Sequence, residues 1–129
     1  MSIEQWVERY RRAWETADAD EIVDLFTPDG SYRSSVFREP HVGHGAIRRY
    51  WNRAAGTQRD VRVLMGQPVI TAERVAVEWW TTMTDPDDGE VTLPGCLLLR
   101  FGPDGRCLDL WEYWQVQPGR REPPPGWGA

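Results

Sequence analysis

The chain has 129 residues, which suits one domain with one core, and its 40% hydrophobic and 27% charged residues are ordinary for a soluble globular protein. A net charge of −5 with no basic stripe disfavours a nucleic-acid partner. No apolar run approaches the length of a membrane span, and Met1–Tyr10 lacks the apolar segment of a secretion signal, so neither membrane nor export is expected.

Ser2-Ile3-Glu4-Gln5 has the spacing of a capping box. Ile3, Trp6, Val7, Tyr10, Trp14 and Ala17 follow in steps of three and four, which predicts an amphipathic helix. Asp18 to Glu21 punctuates and recaps, and a short second helix carries Ile22, Val23, Leu25 and Phe26. Thr27-Pro28-Asp29-Gly30 reads as a type I turn. Ser31 to Phe37 reads as a strand with Tyr32, Ser34 and Val36 on one side, and Arg38 to Gly45 as a loop. Ala46 to Ala55 is the third predicted helix, with Ile47, Tyr50, Trp51 and Ala54 on one face and Gly56 as its C-terminal cap. A strand from Asp60 to Met65 resumes after Pro68, and Arg74 to Thr84 alternates most cleanly, with Val75, Val77, Trp79, Thr81 and Met83 on one face.

Pro94 to Val116 predicts a long hairpin around Gly102-Pro103-Asp104-Gly105. If Phe101 faces Arg106, one face carries Leu97, Leu99, Phe101, Leu108, Leu110, Glu112 and Trp114, with Glu112 opposite Gly95. The other carries Cys96, Leu98, Arg100, Cys107, Asp109, Trp111 and Tyr113. Both faces are apolar enough to need cover. The Pro/Gly composition of residues 118–129 cannot bury a core, so this tail is expected to be mobile or draped over a neighbour. Helices first and an antiparallel meander after them give an α+β class, with a bent sheet curled around the helices.

Several pieces in this order carry a resemblance: Glu8-Arg9-Tyr10, Asp20 to Phe26, Gly43 to Trp51, Leu99-Arg100-Phe101 with Gly105, and the closing Trp111-Glu112-Tyr113-Trp114. Residues 2–117 resemble the nuclear transport factor 2-like superfamily, in its SnoaL-like branch, and more distantly the ketosteroid isomerases. The resemblance implies a cone in which a curved mixed sheet wraps three helices around an apolar cavity, often as a homodimer. It implies a single SnoaL-like domain over residues 1–117. The isomerases' tyrosine donor falls on Tyr10, their general-base Asp falls on Ser34, and their second acid falls on Leu97, so one position of three matches. The Asp–Arg–Asp set of the related epoxide hydrolases has no counterpart among the inward positions of the last three strands. The SnoaL-like cyclases use a single acid deep in the cavity, a place Glu112 fits by type and face.

Glu112 is therefore the candidate acid/base, with Tyr10 as its hydrogen-bonding companion across a ligand. The alternatives are a rim carboxylate paired with an arginine and an aromatic buried on the core face of a helix. Trp14, Tyr32, Ser34, Trp51, Trp79, Leu97 and Trp114 are candidate ligand-binding residues, with plain core packing the alternative for each tryptophan. His41 and His44 read as a loop pair, since no third ligand is suitably spaced, and no metal or cofactor is expected. Cys96 and Cys107 read as structural thiols of a reducing cytoplasm. Arg100 and Asp109, diagonal neighbours on the outer face, read as a structural ion pair at or near an interface. The expected ligand is a small hydrophobic molecule. Two function classes stay open: a cofactor-free acid/base enzyme of cyclase or isomerase type, and a non-catalytic ligand-binding or dimerisation module. Trp80, Leu98, Trp111 and Tyr113 on the outer face predict a homodimer.

Overall fold

The computed structural model describes residues 1–129. Helix α1 spans Ile3–Glu15, and its capping box forms: Gln5 N donates to Ser2 Oγ and Ser2 N donates to Gln5 Oε1. Its apolar stripe buries Trp6, Val7, Tyr10, Ala13 and Trp14. Helix α2, Ala19–Asp24, is capped by Asp18, whose side chain accepts from Glu21 N. Helix α3, His44–Ala54, runs into a 3₁₀ turn at Ala55–Thr57. Gly56 lies inside that turn, rather than as a left-handed cap, with Ala55 as the residue that ends the helix.

The strands are β1 (Phe26–Arg33), β2 (His41–Val42), β3 (Arg59–Met65), β4 (Val69–Ile70), β5 (Val75–Asp85), β6 (Gly89–Phe101), β7 (Cys107–Trp114) and β8 (Gln117–Pro118). They make one mixed sheet in the order β2-β1-β7-β6-β5-β3, with β4 added to β5 and β8 to β6. Only β1 and β7 run parallel. The inner face meets the helices over one core that contains Trp6, Tyr10, Trp14, Ile47, Trp51, Trp79, Leu97, Leu99 and Leu110. This is the α+β arrangement of a curved mixed sheet around N-terminal helices that the sequence predicts.

Some local expectations are corrected. Thr27–Gly30 is not a free turn but lies within β1, which ends at Arg33 rather than Phe37. Gly30 is needed there for close approach, because a Cβ would lie 3.1 Å from the Cys107 carbonyl oxygen. The predicted histidine loop contains β2, which pairs with β1 through Ser31–Val42 and Tyr32–His41.

The hairpin register also differs. Phe101 pairs with Cys107 and Arg100 with Asp109, so Leu108 is an extra, bulged residue and is exposed. Glu112 then pairs with Leu97, and Gly95 with Trp114. The net shift is two residues, so Leu110 and Glu112 keep their inward face, as Leu97, Leu99 and Trp79 do. Before the bulge the parity inverts. Cys107 turns into the core while Cys96 stays on the outer side, so the two free thiols do not share a face. Arg100 and Asp109 face each other directly but form no ion pair: Asp109 Oδ2 accepts from Trp111 Nε1 instead.

The tail is draped over its own sheet. Strand β8 pairs with Val91 and Thr92, Arg121 O accepts from Trp80 Nε1, Gly128 O accepts from Gln67 N, and the Trp127 ring packs edge-on against Trp80. One of the outer-face aromatics is thereby covered from within the chain.

Candidate functional site

Period-2 alternation on β7 aims Glu112 at the helices, where Leu97 of β6 lies beside it and Leu110 precedes it on the same face. Strand β1 joins β7 in parallel through Tyr32–Leu110 and Arg33–Trp111, which brings Tyr32 next to Glu112. Helix α1 supplies Tyr10 from the opposite side. Both phenols donate to one carboxylate oxygen: Tyr32 Oη lies 2.6 Å and Tyr10 Oη 3.0 Å from Glu112 Oε1. Oε2 receives no protein hydrogen bond, and Glu112 is one of the residues that line the cavity.

Glu112 is only 6% exposed, and burial raises its pKa from 4.5 to about 7, against the opposing effect of the tyrosine hydrogen bonds. Burial and the neighbouring carboxylate hold Tyr10 and Tyr32 well above the usual phenol range, so both remain donors. Tyr50, half-buried, is pushed up as well by desolvation and by the Glu112 carboxylate.

The cavity measures about 270 Å³, at the small end of ligand pockets. Trp14, Tyr32, Ser34, Trp51, Trp79, Glu112 and Trp114 line it, together with Tyr50, Gln58, Met83 and Leu93, and with Asp85 and Asp88 at the β5–β6 turn. Trp14 is held by its indole N–H on Gln58 Oε1, and Trp114 by its own on the Ser34 carbonyl. Trp114 is nearly half exposed and forms part of the rim. Trp79 lies over Gly95, where a Cβ would stand 2.2 Å from Cζ2 of its ring. The space beside Gly95 therefore holds an indole, not the Glu112 side chain.

Two candidates do not line the cavity. Leu97 is fully buried in the core. Tyr10 lies behind Glu112 with its hydroxyl committed to the carboxylate, so the expected pair facing each other across a ligand is replaced by a pair in direct contact. Tyr50 was missed as a lining residue. Its place on the apolar face of α3 beside Trp51 was the available signal. The histidines are separately engaged: His44 Nε2 bonds the Phe26 carbonyl, while the His41 ring packs tilted at 34° against Tyr50 with centroids 4.5 Å apart. Burial and Arg53 depress the His41 pKa.

Residues 7–110 match the family model described as SnoaL-like domain. No curated protein matches the chain. Among solved structures, the epoxide hydrolase/cyclase-like enzyme SalBIII, of pyran ring formation in polyether salinomycin, is similar at 23% identity and a TM-score of 0.76. That match covers 88% of this chain and 92% of SalBIII. A hypothetical protein with a ketosteroid isomerase-like fold from Catenulispora acidiphila, in complex with trimethylamine, is similar at 18% identity and a TM-score of 0.77, covering 87% of this chain and 86% of that one. Another Catenulispora acidiphila structure is similar at 25% identity and a TM-score of 0.63, covering 87% and 88%.

Proposed function

The chain belongs to the SnoaL-like domain family, and from that premise and the setting of Glu112 we propose that it binds a small, mostly apolar molecule and exchanges a proton with it through this carboxyl group. The observation that supports the reading is the division of labour on Glu112. Oε1 is fixed by two phenol hydrogen bonds, Oε2 has no protein partner, and Glu112 lines the cavity. A carboxyl group that titrates at about 7 is half ionised at neutral pH, the condition in which one group can both accept and return a proton.

In the proposed cycle Oε2 removes a proton from carbon or oxygen of the ligand. The phenol hydrogen bonds hold the carboxyl plane fixed while its charge changes, and the same oxygen then returns the proton at a second position. Such steps are shared by isomerisations and ring closures and need no cofactor. Tyr10 and Tyr32 act as positioning residues, because their hydroxyls reach Glu112. The test is deuterium wash-in from D₂O into a panel of small enolisable ketones, followed by NMR. The native protein should accelerate exchange above the buffer rate, and Glu112→Gln should abolish the acceleration. Equal rates in both proteins would refute the proton-transfer role.

One observation favours the second reading, a non-catalytic binding module. The two tyrosines that reach Glu112 are both spent on it, so neither is free to polarise a ligand carbonyl. Retained ligand binding in a native protein with no exchange activity would select it. A homodimer through the outer face is part of the same proposal. Leu98 and Trp111 remain partly exposed there and Tyr113 is exposed, aromatic surface of the kind that marks interfaces.

A further inference from the structure

We infer that the ligand of this cavity is a small organic cation, an amine protonated or fully alkylated at nitrogen. This rests on the reading of the cavity as the ligand site and adds the chemical class.

The charge of the wall is one-sided. Glu112, Asp85 and Asp88 line the cavity, the chain has no lysine, and none of its fifteen arginines reaches the lining. An anion would meet carboxylates and no counter-charge. A ligand with no polar group at that point would cover Glu112 Oε2 and leave it desolvated without a partner, the costly arrangement for a buried acceptor. A cation supplies the missing partner.

The rest of the wall suits the same ligand. The aromatic rings of Trp14, Tyr32, Tyr50, Trp51 and Trp79 line it, with edge-to-face packing of Trp14–Trp51 at 83° and Tyr50–Trp51 at 88°. The π face of any of these rings that reaches the cavity carries the negative quadrupole that attracts a cation. The volume of about 270 Å³ accommodates a compact head such as a trimethylammonium group. At the mouth, Asp85 Oδ1 accepts from the N–H groups of Asp87 and Asp88, which fixes this acidic turn beside the entrance. A fixed acidic rim raises the local concentration of cations.

Glu112 binds the cation in its ionised form, so affinity for a permanently charged probe rises with pH through about 7. The groups facing Glu112 are Tyr10 from α1, Tyr32 from β1 and Tyr50 from α3, with Asp85 and Asp88 from the β5–β6 turn lining the same cavity. Burial keeps the phenols protonated in this range. His41, tilted against Tyr50, also titrates nearby with a depressed pKa, and the Arg53 charge of α3 acts on both rings.

The test titrates the full chain with choline and with 3,3-dimethylbutan-1-ol, which has the same shape and no charge. Calorimetry gives affinities, and the indole N–H resonances of Trp51 and Trp79, both buried without a partner, report occupancy of the cavity. Choline should bind at least about tenfold more tightly than its isostere. Its affinity should increase as pH rises through about 7 while that of the alcohol does not change. Glu112→Gln should remove most of the preference. Binding of the alcohol as tightly as choline, with the indole resonances shifting, overturns the cation inference and leaves the cavity reading standing. A flat choline pH profile, or an undiminished preference in Glu112→Gln, also overturns it. If neither probe moves the indole resonances, the cavity reading falls as well.

Discussion

Tyr32 Oη donates to Glu112 Oε1 across 2.6 Å, joining residues 80 apart in sequence through the one parallel strand pair of the sheet. This bond favours the ionised carboxylate, while burial disfavours it. Tyr32→Phe should therefore raise the Glu112 pKa further above its native value, and Tyr10→Phe should do so less, because its bond is the longer one. Each change should also cost about 1.5–3 kcal/mol of stability above the titration, the worth of a hydrogen bond to a charged group. Carboxyl ¹³C titration and urea unfolding measure the two effects, and a lowered pKa in Tyr32→Phe would contradict the electrostatics.

Glu112 also fixes a pH dependence of stability. Its folded pKa, about 7, lies above the 4.5 of the free group, so the folded state holds its proton more tightly than the unfolded state. The resulting stabilisation is complete below about 4.5 and is lost as pH rises to about 7. Over that window the loss amounts to about 3 kcal/mol. His41 works in the opposite direction, because its depressed pKa makes the folded state lose stability on acidification. The difference between the native protein and Glu112→Gln isolates the carboxyl. Native stability should fall from pH 5 to pH 8 relative to the variant (about these limits). Parallel curves would mean that Glu112 is not desolvated.

Gly95 makes room for the Trp79 ring, so Gly95→Ala should destabilise the fold by about 1–3 kcal/mol or more through overpacking, and should disturb the cavity wall that Trp79 forms. Gly56→Ala is the control: its added Cβ meets nothing within 4 Å, and its effect should stay within about 0.5 kcal/mol. Thermal unfolding of the two variants side by side checks the contrast.

Trp111 sits on the outer face with Arg33 stacked 4.4 Å above its ring and Tyr113 alongside. A homodimer through this face should give a mass of about twice 14.9 kDa in light scattering at micromolar concentration. Trp111→Glu should shift it to monomer, since a carboxylate there would be desolvated without a partner. A native protein that is already monomeric under these conditions removes the dimer.

Much of this was legible because it is local. The capping box of α1 and the alternation of Val75 to Met83 are short-range patterns with one physical solution each, and they set the helix face and the strand face correctly. The inward aim of Glu112 followed from period 2 alone and survived a register error, because that error was an even number of residues. What the sequence hid is non-local. The Thr27–Gly30 turn signal was overridden by pairing of β1 with β7 and β2, where Gly30 serves close approach rather than reversal. The Leu108 bulge has no composition of its own, so the inversion of Cys107 could not be read. That Tyr10 touches Glu112 instead of facing it across a ligand depends on how deeply α1 sits against β7, a distance no spacing along the chain encodes.

The most direct measurement is the titration of Glu112 itself, by ¹³C NMR of its carboxyl carbon in the native protein, assigned by loss of the signal in Glu112→Gln. A buried carboxyl poised for proton exchange should titrate at about 7. A midpoint near the free-group value of 4.5 would show that water or an unrecognised positive partner stabilises the charge, and it would contradict the proposed role of Glu112 at neutral pH.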